Sequence, residues 1–184
     1  MIHIQPSAFV LMAALILLRP PDWLLAALLA AAVHELGHLA AIYIFGGHLE
    51  SISIGGVGAR IHTGPLENRT EFFCAAAGPA ASLLLLCLCR YFPKIALCGL
   101  AQGMFNLIPV HPMDGGRMLL CVLRRLCPRR AESIFHIVQC LILGGLLTLS
   151  LILAVRGKDG FLPVLVCSTV LSRLLLSKIP CKSA

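Results

Sequence analysis

The chain has 184 residues, 59% of them hydrophobic and 12% charged, with a mean hydropathy of +0.93, whereas an ordinary soluble domain is about 25% charged. One soluble core of this length cannot hide so much apolar surface, so a water-soluble globule is excluded and several membrane helices of about 20 residues each account for the composition. The formal charge of +7 comes from 15 Lys and Arg against 8 Asp and Glu. Those basic residues are dispersed between apolar runs, which argues against a nucleic-acid partner and for a role in setting membrane topology.

Charges and Pro/Gly clusters divide the chain into apolar spans near 4–18, 23–45, 72–92, 95–126 (interrupted), 134–155 and 161–177. The expected fold is an all-α polytopic membrane protein with about six crossings, forming a single membrane-embedded domain over 1–184. The first span is short and carries Gln5 and Pro6, so a re-entrant or interfacial segment is the alternative there. Its flanks lack the basic region and cleavage site of a secretory signal, so it is read as retained. Nine cysteines without a CxxC pair, six of them in or beside apolar runs (Cys74, Cys87, Cys98, Cys121, Cys140 and Cys167), read as small buried hydrophobes.

With six crossings and the N-terminus inside, Arg60, Arg69, Arg117, Arg124, Arg125, Arg129, Arg130, Arg173, Lys178 and Lys182 fall on or near the cytoplasmic face. Arg19, Arg90, Lys94, Arg156 and Lys158 fall outside. Ten against five is the expected bias, and it places both termini in the cytoplasm. The longest polar connection, from Gly46 to Glu71, holds the alternating Ser51-Ile52-Ser53-Ile54, the glycines of Gly55-Gly56-Val57-Gly58, and Ala59-Arg60-Ile61-His62. Such a pattern predicts a short membrane-associated β-hairpin or re-entrant loop near 51–62.

The second span contains His34-Glu35-Leu36-Gly37-His38, an HExxH pattern on a helix. Its two imidazoles, at i and i+4, share a face and can hold one Zn²⁺, while Glu35 is placed to deprotonate water. A chance occurrence is the competing explanation. An ionised carboxylate within a spanning helix costs about 2.5–3.5 kcal/mol even on the lenient insertion scale, so structure alone would not favour it.

A hydrolytic tetrahedral site needs a third protein ligand and an open position. Asp114 is the candidate, in Phe105-Asn106-Leu107-Ile108-Pro109-Val110-His111-Pro112-Met113-Asp114-Gly115-Gly116-Arg117. Two prolines and two glycines there predict an unwound stretch, tolerated at membrane depth only when buried in protein or lining a wet cavity. His38 precedes Phe45 by about 10 Å of helix and Asp114 precedes Arg124 by about 15 Å, so both lie nearer one membrane face. A turn-forming Asp-Gly is the alternative for Asp114. His111 is a rival ligand or a neighbour that supports one, and Asn106 can either cap freed carbonyls or donate to substrate and a developing oxyanion. The small-residue run Ala75-Ala76-Ala77-Gly78-Pro79-Ala80-Ala81-Ser82 permits close helix approach, as a wall against the metal-bearing helix or a generic packing face. His48, His62 and His136 have no ligand partner at metal spacing and are given no role.

In His34-Glu35-Leu36-Gly37-His38, Ala77-Gly78-Pro79 and the Asn106 to Gly116 segment, the chain resembles the site-2 protease family of intramembrane zinc metalloproteases, particularly its branch containing the stage IV sporulation protein FB proteases. The resemblance runs from about Pro6 to Leu126. It implies a three-helix catalytic core over about 23–126, with accessory helices near 4–18, 134–155 and 161–177. It implies one zinc per chain held by His34, His38 and Asp114, Glu35 as general base, Asn106 in substrate or oxyanion binding, and a substrate-facing hairpin at Gly55, Gly56 and Gly58. Transmembrane or membrane-tethered proteins in the bilayer would be the substrates, a membrane partner could restrain the enzyme, and a bacterial cytoplasmic or derived internal membrane would be its location. Against that resemblance, the chain is expected to lack the CBS segment of that branch and the PDZ insertion of other branches, and it carries Ser82 where related proteins often have Asn.

Two readings from other classes compete: an ion transporter using intramembrane His and Asp, and a silent membrane scaffold. The topology itself is testable. A green fluorescent protein fused after Arg130 should fluoresce, while an alkaline phosphatase fused after Lys158 should be active; the reverse pattern would invert the orientation.

Overall fold

The computed structural model describes residues 2–4, 20–55, 58–64 and 66–155. Strand β1 (Ile2–Ile4) precedes helix α1 (Pro21–Ile44), strands β2 (Leu49–Gly55) and β3 (Gly58–Thr63), helix α2 (Asn68–Leu84), helix α3 (Pro93–Asn106), helix α4 (Asp114–Leu126) and helix α5 (Ala131–Val155). The expected spans near 4–18 and 161–177 lie outside the described residues, apart from Ile4 in β1. Three described helical stretches are long and apolar enough to cross a membrane: Pro21–Ile44, Asn68–Leu88 and Ala131–Leu149.

Helix α1 begins with Pro21 at a position whose missing N–H costs nothing, and Trp23 and Leu24 donate back to the Pro20 carbonyl. Its buried residues are Ala26, Ala30, His34, His38, Ala41 and Ile42, a stripe stepping by about four. The i, i+4 spacing of the histidines therefore puts both on the inward face. The other side carries large apolar residues with no protein cover, Leu25 at 58% and Leu36 at 60% exposure. That inverted surface suits hydrocarbon surroundings.

Helix α2 starts at Asn68, four residues before the expected span edge, because Arg69 and Glu71 enter its first turn. Glu71 meets Arg117 of α4 at 3.7 Å, and Asn68 Nδ2 donates to the Cys121 carbonyl at 2.7 Å. The helix continues through Pro79 and tightens into a 3₁₀ turn at Leu85–Leu88. It packs between α1 and α3 because small residues face each neighbour. A Cβ on Gly37 of α1 would lie 2.6 Å from the Ala77 carbonyl oxygen and 2.7 Å from Ala81 Cβ. On α3, a Cβ on Gly99 would lie 2.8 Å from the Ser82 carbonyl. The small-residue run of α2 is thus a packing wall, and it abuts the helix that carries His34 and His38.

The interrupted span resolves into α3, a seven-residue break at 107–113, and α4. At the far end of α3, Lys94 pairs with Asp22 at the start of α1 and stands 5.7 Å from the centre of the Trp23 ring. Helix α5 buries Ala131, Phe135, Gln139 and Leu143, again stepping by four. Gln139 Oε1 accepts the His111 backbone N–H at 2.9 Å, which matches a buried amide to the unwound segment.

Strands β2 and β3 pair antiparallel from Leu49↔Thr63 to Gly55↔Gly58, with an irregularity between Leu49 and Ser51. Their two-residue connection, 56–57, lies outside the described residues. Strand β1 joins β2 in parallel, Ile2↔Ile52 to Ile4↔Ile54, giving the order β1-β2-β3. The sequence pattern offered no sign of β1, which is only three residues long.

The packing predicts a graded response to glycine replacement. Gly37→Val should destabilise the protein by about 1–3 kcal/mol through overpacking. Gly144→Ala, with nothing within 4 Å of the added carbon, should be neutral or stabilising by up to about 1 kcal/mol. Thermal unfolding in detergent measures both.

Candidate metal centre

The inward stripe of α1 brings His34 and His38 to the wall formed by α2, and the break after α3 returns the chain so that α4 begins there with Asp114. All three are buried, at 3%, 8% and 8% exposure. His34 Nε2 and His38 Nε2 each lie 3.2 Å from Asp114 Oδ2 and 3.2 Å from one another. Among the described residues, these three form the group able to hold a metal ion.

The triangle suits a particular ion. Tetrahedral ligands at the 2.0–2.1 Å typical of zinc to nitrogen or oxygen stand about 3.3–3.4 Å apart, close to the separation found here. Two imidazoles and one carboxylate are ordinary zinc donors, and three protein ligands leave a fourth position for water.

Both imidazoles are held from behind. His38 Nδ1 donates to the Cys74 carbonyl of α2 at 2.7 Å. His34 Nδ1 lies 2.9 Å from Ser82 Oγ and donates to it in the tautomer that leaves Nε2 with its lone pair. Ser82 is fully buried. Such partners fix ring orientation and raise ligand basicity. Sequence reading noted Ser82 as the end of the small-residue run and as a departure from an Asn; its contact with His34, 48 residues away, has no local signal.

Gly78 supplies space. A Cβ there would fall 2.2 Å from His38 Nε2, so any larger residue would drive the ring from its position. The pair Gly115-Gly116 does the same for Asp114: their added carbons would strike the Leu107 carbonyl oxygen at 2.1 Å and the Val110 carbonyl at 2.7 Å. Only glycine lets the break fold against the first turn of α4. Asp114 thereby sits in that first turn, where the partial positive charge of the helix N-terminus favours a carboxylate.

Glu35 lies beside His34 on α1, half-buried, and interacts electrostatically with His34, His38 and Asp114. Asn106 is the last residue of α3; its Nδ2 donates to the Gln102 carbonyl one turn back at 3.1 Å. That bond uses one of its two amide hydrogens on a backbone carbonyl and leaves the amide oxygen and the second N–H. His111 contributes its backbone N–H to Gln139 and is not in the metal-capable group. Gly55 and Gly58 close the paired part of the hairpin, and Gly56 lies outside the described residues.

Comparison with known proteins decides the lineage. The model of Peptidase M50B-like proteins matches residues 7–108, more than half of the chain, and that of Peptidase family M50 matches residues 86–146. The chain belongs to the M50, or site-2 protease, family. Among M50 relatives, a zinc metalloprotease of Methanocaldococcus jannaschii is 30% identical over 110 residues, covering 52% of this chain and 32% of that protein. Stage IV sporulation protein FB of Bacillus subtilis is 25% identical over 161 residues, covering 78% of this chain and 56% of that protein. The chain therefore spans about a third and just over half of these relatives. The solved site-2 protease from Methanocaldococcus jannaschii superposes with a TM-score of 0.68 at 22% identity, over 92% of this chain and 86% of that one. It shares the fold.

The supporting contacts of this M50 chain make a prediction. Ser82→Ala should weaken zinc binding by about 10- to 100-fold while Ser82→Asn, still able to accept from His34, loses less. Gly78→Ala should lower zinc retention further. Competition against a chelator of known affinity reads all three.

Proposed function

We propose that this M50 member is an intramembrane zinc-dependent metalloendopeptidase that hydrolyses peptide bonds of membrane-embedded or membrane-tethered proteins. The observation that carries the reading is the 3.2 Å triangle of His34, His38 and Asp114 donors with Glu35 adjoining it. We further read 1–184 as one metalloprotease domain, with its catalytic core over about 23–126, one zinc per chain and both termini on the cytoplasmic side of a bacterial or derived membrane.

When bound, zinc would lower the pKa of a water molecule and polarise the scissile carbonyl. The chain's own groups do the rest. Glu35 accepts the proton of the attacking water and returns it to the departing amine, so its carboxylate ends each turnover as it began. Ser82 and the Cys74 carbonyl keep both imidazoles facing inward during that transfer. Asn106 retains an amide oxygen and a second N–H beside the bond to Gln102, and we assign it to orienting substrate or the developing oxyanion.

A peptide must be extended to expose its carbonyl, and a spanning helix is not. The hairpin offers an edge to which an unwound substrate segment can add as a strand through main-chain hydrogen bonds. With β2 in the middle of the sheet, β3 is the hairpin strand with an edge left for this purpose. Gly55, Gly56 and Gly58 would let a substrate backbone approach closely. A transporter reading would explain the buried ligands but gives Glu35 no task.

Glu35→Gln separates these cases. Co-expressed with tagged single-span substrates, the wild type should cleave and Glu35→Gln should lose at least about 100-fold of the rate, as expected for removal of a general base, while zinc content stays equal. Cleavage by the variant at wild-type rate would remove Glu35 from the mechanism, and ion flux without cleavage would favour transport.

A further inference from the structure

A groove of about 400 Å³ follows the seam between α2 and α4, with Arg69 and Arg125 at its margins and Phe72, Phe73 and Val122 along its wall. Its lining on α2 runs from Asn68 to Phe73, just before Cys74, whose carbonyl holds His38, and it includes none of the three metal-capable residues. We propose that this groove binds an anionic phospholipid, the phosphate between Arg69 and Arg125 and an acyl chain along Phe72, Phe73 and Val122.

The charges select an anion. Two acids of this region are matched, Glu71 to Arg117 at 3.7 Å and Glu132 to Arg124 at 2.8 Å, while Glu67 at the N-cap of α2 is exposed and in no ion pair among the described residues. Arg69 and Arg125 have no acidic partner among the described residues. Guanidinium forks suit phosphate oxygens, and basic recesses between membrane helices are ordinary headgroup sites. The apolar wall selects a lipid over a free anion. Phe73 is 53% and Val122 40% exposed on helices whose outer surfaces face hydrocarbon, and a free phosphate has no use for such a wall. The groove is preformed, because Asn68 in its lining ties α2 to α4 through the Cys121 carbonyl. Its α4 side adjoins the most basic stretch of the sequence, Arg124 to Arg130.

The test uses the full chain in a neutral detergent, titrated with phosphatidylglycerol or phosphatidylcholine and followed by native mass spectrometry. Each arginine near a lipid phosphate contributes about fivefold in affinity, so Arg69→Gln/Arg125→Gln should weaken phosphatidylglycerol binding by about thirtyfold. Arg129→Gln/Arg130→Gln, outside the groove, should change it less than about threefold, and phosphatidylcholine should bind weakly to every form. Equal zinc content and thermal stability verify that the variants are folded. Unchanged phosphatidylglycerol affinity in the groove variant would overturn the proposal. So would displacement of the lipid by millimolar inorganic phosphate, which marks a free-anion site, or equal binding of phosphatidylcholine, which marks a purely apolar one.

Discussion

Three polar donors share a 3.2 Å triangle inside an apolar helix bundle, and the architecture around them follows from keeping them there. A carboxylate and two imidazoles at this depth are costly unless a cation and hydrogen bonds satisfy them. Helix α2 meets that requirement by lying against α1 and offering a hydroxyl and a carbonyl to the outer nitrogens of the histidines. It can come so close only because Gly37, Ala77, Gly78 and Ala81 put nothing larger than a methyl group between the helices at those positions. The small-residue composition of the wall and the chemistry of the site are one requirement expressed twice.

The third donor, Asp114, arrives by a different device. A histidine pair on one helix can be supplied by periodicity, but a ligand from another element must be brought to the same depth. The chain does this by ending α3 at Asn106, turning through 107–113 and restarting with Asp114 as the first residue of α4. Breaking a membrane helix frees backbone groups that lipid cannot satisfy. The turn answers with its own bonds, Val110 N–H to the Ile108 carbonyl and Met113 N–H to the Val110 carbonyl, both at 2.8 Å, and with the Gln139 side chain.

Much of this was legible from the residues. The HExxH spacing put two imidazoles on one face with a carboxylate one residue along, and the Pro and Gly content around Asp114 marked the break. Both depend on local rules, helical periodicity and backbone geometry, which short sequence windows carry. The start of α2 shifted where a charge that normally marks a boundary found a partner across the fold: Glu71 lies inside α2 and faces Arg117, 46 positions away. Ser82 and Gln139 were harder still. Their roles rest on contacts across 48 and 28 residues, and nothing beside them in the chain announces a histidine or an unwound backbone as the partner.

The bond from Gln139 to the break bears on how the protein is made. During synthesis from the N-terminus, the two histidines, the wall of α2 and Asp114 all emerge before α5. Gln139 then enters the bilayer as an unmatched amide in an otherwise apolar helix, and docking on the His111 N–H relieves it, a bond of about 0.6–2 kcal/mol in such surroundings. Helix α5 supplies no ligand, yet it is the last described piece to lock the ligand-bearing loop. Assembly of the site is therefore completed late, after the chain that contains its chemistry has already been inserted.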